Sequence, residues 1–155
     1  MKILIPVDGS ENSKLALDEV KRRKWDDGSS VKVIHVVEKL VQVTDMMGVN
    51  AELARDSHRD LVEKGRKLLD DAERLLKTAD QAMEVASELI EASQFESPQE
   101  AIVSYAEQDG TDLIVMASLG FSLWKRLTVG SVSLAVIQHA PCSVQIVRQK
   151  RTEDQ

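Results

Sequence analysis

Short, nearly unbroken apolar runs alternate along this chain with longer stretches in which apolar residues recur every three or four positions. KILIPV, from Lys2 to Val7, is apolar, partly β-branched and closed by Asp8-Gly9-Ser10, so it predicts a buried strand ending in a turn. Ser10 has the chemistry of a helix N-cap, and Leu15, Ala16 and Val20 supply the apolar stripe of a helix reaching about Lys24. The turn cluster DDGSS (Asp26 to Ser30) precedes VKVIHVV (Val31 to Val37), a second buried strand. From Ala51 to about Asp80, Leu61, Gly65, Leu68, Leu69, Ala72, Leu75, Leu76 and Ala79 recur at helical spacing among many charges. A long amphipathic helix follows from that stripe, which is too short for several clean heptads of a coiled-coil arm.

MEVASELIEA reads as a third strand, SPQEAIVSYAEQ as a helix with Ser97 at the N-cap and Pro98 at its first position, and TDLIVMAS as a fourth strand. Ser97 and Glu100 have the spacing of a capping box. SVSLAVIQHA is a helix stopped by Pro141, and SVQIVR is a fifth strand. LVQVTDMMGVN, between Glu38 and Asn50, mixes apolar residues with a glycine at no clear period and is expected to be a mobile loop; its Met46 and Met47 read as packing residues. Strands alternating with helices imply an α/β fold, a parallel sheet with helices on both faces joined by right-handed crossovers. Ligands of such sheets bind beyond the carboxyl ends of the strands, where strand order reverses. VDGS after the first strand and ASLG…GS after the fourth are therefore the segments to watch.

Composition narrows the function more than the fold. With 155 residues the chain is expected to be one domain over 1–148 with a charged tail over 149–155. A net charge of −6 and 3% aromatic residues disfavour nucleic-acid binding and anionic membranes. The apolar run behind Lys2 is too short for a signal-peptide core or a membrane span, which makes a cytoplasmic protein the expectation. Cys142 is the sole cysteine and reads as a small packed residue, and His35, His58 and His139 lack metal-ligand spacing.

The segment ASLGFSLWKRLTVGSVS (Ala117 to Ser133) contains neither Gly-x-x-x-x-Gly-Lys-[Ser/Thr] nor Gly-x-Gly-x-x-Gly. It does hold Gly120, nine intervening residues and then Gly130-Ser131 at the mouth of a helix, where free N–H groups and the helix dipole suit an anion. In order and spacing, IPVDGS, VIHVVE, SPQEAI, DLIVMAS and GSVS…HAPCSVQIV resemble the universal stress protein family over nearly the whole chain. That resemblance implies a five-stranded parallel sheet in order 3-2-1-4-5, a homodimer formed through the edge strand Ser143 to Arg148, and members that bind ATP alongside members that do not. ATP-binding members carry Gly-x-x-Gly-x9-Gly-[Ser/Thr]. By the same resemblance Asp8, with Pro6, Val7 and Val36, would lie at the adenine side, Met116 near the ribose, and Gly120, Gly130, Ser131, Val132 and Ser133 at ribose and phosphates, with Mg2+ accompanying ATP.

Two positions depart from the family pattern. Ala117 stands where the first glycine is expected: a left-handed backbone there would cost about 1–2 kcal/mol, a close approach would be blocked by the methyl group, and a plain strand end would be unaffected. Glu96 replaces a frequent glycine two residues before Pro98, and its carboxylate would repel a polyphosphate unless Lys125 and Arg126 offset it. Residue by residue there are plainer readings: Asp8 as a turn residue, Gly130-Ser131 as a helix start, Lys125 and Arg126 as a solvated face, Trp124 as packing. Ser131 has no histidine partner, because His139 lies eight residues further along the same helix, so no dedicated hydrolase is visible. An ATP-binding regulatory module in the stress response is the leading expectation; a dimer working through protein contacts alone is the alternative.

Overall fold

The computed structural model describes residues 1–38, 51–78, 83–92, 96–118 and 130–148. In chain order these are β1 (Lys2–Pro6), α1 (Glu11–Arg22), β2 (Ser30–Glu38), α2 (Ala51–Lys77), β3 (Glu84–Ala92), α3 (Pro98–Asp109), β4 (Leu113–Ala117), α4 (Ser131–His139) and β5 (Ser143–Val147). All neighbouring strands pair in parallel, in the order β3-β2-β1-β4-β5. The expected sheet is thus the observed one. The expected mobile loop and its methionines, the segment from Phe121 to Arg126 and the charged tail lie outside the described residues.

Alternation along the strands builds two apolar layers. Ile3 and Ile5 of β1 and Val7 just beyond it, with Val31 and Val33 of β2, face Ala16, Leu17 and Val20 of α1 and Leu69, Ala72 and Leu76 of α2. Leu4, Ile34, Ile114 and Met116 face the opposite way, onto Ile102 and Ala106 of α3 and Val136 of α4. Leu4, Ile5, Val33 and Ile34 are wholly shielded from water, and each buried side chain of this size contributes about 1.5–3 kcal/mol. At the amino ends of the strands the second layer is closed by charge: Lys32 Nζ lies 3.5 Å from Asp109 and 3.9 Å from Glu88, to which the Tyr105 hydroxyl donates at 2.6 Å.

Local signals set the helix ends. Ser10 Oγ accepts from the Ser13 N–H at 3.2 Å, and Glu100 accepts from both the N–H (2.8 Å) and the hydroxyl (2.6 Å) of Ser97. α1 ends at Arg22, two residues before the expected Lys24, because Arg23 takes an extended conformation while Arg22 and Arg23 fold back onto Glu19.

Gly65 has a packing role that the helical pattern alone conceals. It is buried in α2, and a Cβ there would stand 2.6 Å from His35 Cδ2 and 2.9 Å from Leu89 Cδ1. On propensity alone Gly65→Ala should stabilise the helix by about 1 kcal/mol. Overpacking against the fixed His35 ring costs about 1–3 kcal/mol. We therefore expect Gly65→Ala to lower the urea midpoint, and an unchanged or raised midpoint would show that the ring moves aside freely.

Candidate functional site

Strand order reverses at β1, and β1 is the first of the central strands to stop. Its last paired residue is Pro6, opposite Ile34, and the final ladder bond runs from the Val7 N–H to the Ile34 carbonyl at 2.9 Å. β2 continues to Glu38 and β4 to Ala117. On the β4 side, pairing covers Ile3↔Leu113 and Leu4↔Ile114; the next bond of that ladder needs an N–H at position 6, and proline has none. Both flanking strands thus run past the end of their central neighbour.

A pocket of about 240 Å³ occupies the gap. One wall is apolar, formed by Ile34, Val36, Ile102, Met116 and Val132, and the other is the turn from Pro6 through Asp8 to Ser10, Asn12 and Ser13. Pro98, at the start of α3, and His35, Ala117 and Ser133 complete the described lining. Since the groups of Ile34 bond to β1, alternation turns those of Val36 to the same side, where β1 has already ended. An N–H donor and a carbonyl acceptor of one residue therefore face the space.

Asp8 combines a turn role with a place in the lining. Its Oδ1 accepts from the Ser10 N–H at 2.9 Å, and Gly9 between them has φ +79°, which favours glycine. Burial pushes the Asp8 carboxyl up, but hydrogen bonds from the Ser10 side chain and backbone and from Ser13 outweigh it, so the group is held below the ordinary carboxylate range. Negative charge is thereby fixed at the pocket mouth beside the start of α1.

Ala117 resolves one of its three readings. No described non-glycine residue has a positive φ, and Ala117 ends β4 in extended backbone paired with Val147, so left-handed strain does not arise. Its carbonyl accepts from the buried Ser133 hydroxyl at 3.1 Å. Ser133 therefore presents lone pairs rather than its proton to the pocket. Gly130 is the N-cap of α4 and has no side chain to cap it, and the first N–H groups of a helix suit an anion. Gly130 and Ser131 stand next in sequence to the lining residues Val132 and Ser133, whereas Gly120 lies outside the described residues.

Pro6, Val7, Asp8, Val36, Met116, Ala117, Val132 and Ser133 are thus brought together around one space. Sequence reasoning missed His35, Ser10, Asn12, Ser13, Ile34, Pro98 and Ile102 as lining residues. For the helix starts the signal was present, since parallel topology points the first turns of α1 and α3 at the carboxyl ends of the strands; Ile34 and His35 line the space through a register with β1 that only the structure shows. Among the described residues no group of three or more His, Cys, Asp or Glu could hold a metal ion, and no helix is long and apolar enough to cross a membrane.

Comparison with known proteins agrees with the fold. The universal stress protein YxiE of Bacillus subtilis is 30% identical over 151 residues, covering 95% of this chain and 98% of that protein. The universal stress protein MJ0577 of Methanocaldococcus jannaschii is 31% identical over 97% of this chain and 96% of its own, and its solved structure superposes with a TM-score of 0.78 over 97% of both chains. A family member from Arabidopsis thaliana, solved with AMP bound, shares the fold at a TM-score of 0.64 and 17% identity, over 99% of this chain and 94% of its own. The sequence model of the universal stress protein family matches residues 1–148, and with these relatives it places the chain in that family.

Proposed function

We propose that this chain binds an adenine nucleotide, ATP with Mg2+ as the working form, and serves as a regulatory module of the cytoplasmic stress response. The observation that carries the reading is the gap at the end of β1. There an apolar slot, edged by the donor and acceptor of Val36, lies beside the N-terminus of α4, which begins after Gly130. A flat base fits between Val7, Val36 and Met116, and adenine offers a ring-nitrogen acceptor and an amino donor side by side, the complement of a main-chain N–H and C=O. Phosphates would lie toward Gly130, Ser131 and Val132, where N–H groups and the helix dipole favour negative charge. The metal ion would be carried by the phosphates. The AMP held by the Arabidopsis relative supports the same ligand class.

The homodimer forms, in this reading, along the edge strand Ser143 to Arg148. No residue of β5 is fully buried, and α4 beside it leaves Leu134 at 47% and Ile137 at 43% exposed, one turn apart on its outer face. This apolar strip also favours the second reading, a module working through protein contacts whether or not nucleotide binds.

Three outcomes test these statements. Gly130→Glu should abolish ATP binding in calorimetry while circular dichroism stays native; an affinity equal to the parent's would remove the phosphate assignment. Strain at a left-handed residue would be worth roughly five- to thirtyfold in affinity. Because Ala117 is extended, Ala117→Gly should shift the ATP dissociation constant by less than about fivefold, and a larger gain would make its methyl group a steric block. Leu134→Glu with Ile137→Glu should convert a dimer to a monomer in light scattering, and a parent that is already monomeric at micromolar concentration would sink the edge-strand assembly.

A further inference from the structure

We propose that the His35 imidazole is a positioning group that keeps the main chain of Val36 open to the ligand; this rests on the nucleotide reading above. Continued by one step, the β1–β2 register would have the Val36 N–H donate to the Val7 carbonyl, since Pro6 pairs with Ile34 and the Val7 N–H already donates to the Ile34 carbonyl. That carbonyl instead lies 2.8 Å from His35 Nδ1. A carbonyl only accepts, so Nδ1 carries the proton and the ring donates. The side chain of one residue thus takes the acceptor that the ladder would give to the amide of the next.

The ring is well placed for this because it is held from behind. Gly65 of α2 lies so close that an added Cβ would meet His35 Cδ2 at 2.6 Å and Nε2 at 3.2 Å. Val7 is itself buried, at 5% exposure, so its carbonyl needs a partner and either donor would serve stability. Which donor serves decides whether the Val36 N–H is spent inside the sheet or faces the pocket. His35 contributes to binding through Val36, without needing to touch the nucleotide.

Amide exchange in the 15N-labelled full chain, followed by titration with Mg·ATP, tests this in the parent, His35→Asn and His35→Leu. Asparagine places an amide nitrogen near the position of Nδ1, and leucine places none. Without nucleotide, His35→Leu should slow Val36 exchange at least about tenfold, as that amide closes on the Val7 carbonyl, and weaken ATP binding about tenfold, the worth of one hydrogen bond. His35→Asn should retain parent values for both. Equal Val36 exchange in parent and His35→Leu overturns the inference even if affinity falls, reducing His35 to a packing residue. A parent that binds no ATP, in which His35→Leu still slows Val36, supports the role of the ring and refutes the nucleotide reading. Should His35→Leu fail to fold, long-range 15N–1H correlation in the parent decides: a proton on Nδ1 supports the inference, and one on Nε2 alone overturns it.

Discussion

A proline without an N–H, at the end of the central strand, is the constraint from which the pocket follows. β1 is paired on both sides up to residue 4, but Pro6 cannot supply the next donor to β4, and after Val7 the chain turns at Asp8 and Gly9 into α1. The longer neighbours β2 and β4 then face each other across a space with no strand between them. Main-chain groups that would be spent in a ladder become the polar edge of a cavity, and the side chains that alternate with them supply its apolar wall. Ser133, on the Ala117 carbonyl, saturates part of that edge from the side.

The two ends of the same layer are treated differently. At the amino ends of the strands, Lys32, Glu88, Tyr105 and Asp109 close the space between sheet and α3 with charged and hydrogen-bonded contacts. At the carboxyl ends, Pro98 and Ile102 of α3 and Val132 of α4 stand back and the layer stays open. The starts of α1, α3 and α4 converge on the open end. Because each helix follows a parallel strand, the topology alone brings their positive ends to one side, where they oppose the charge of Asp8 in a molecule that carries −6 overall.

The fold was legible because its signals are local and repeated. KILIP, VKVIHVV and LIVMA each show strand chemistry bounded by turn residues, and Ser10, Ser97 and Pro98 mark helix starts that the structure contains. The segment holding Asp8 was legible from the rule that ligands bind where strand order reverses, whereas Val36 and Met116 were legible only through family resemblance, since nothing in their own spacing joins positions so far apart. His35 escaped notice because a histidine in an apolar run looks like any half-buried strand residue; its bond to Val7 depends on the register between two strands, which no single segment encodes. Ala117 illustrates the reverse case. The sequence left three readings open, and pairing with Val147 removed the left-handed one.

The contact between Gly65 and His35 has an evolutionary consequence. Thirty positions apart in the chain, the two residues share one volume, so neither is free to drift alone. A lineage that enlarges position 65 must shrink or discard the ring at position 35, and one that loses the ring leaves a hole that a larger residue at 65 would fill. Among relatives the two positions should therefore change as a pair, and the composition of a helix on the back of the sheet becomes a record of how the front of the sheet is used.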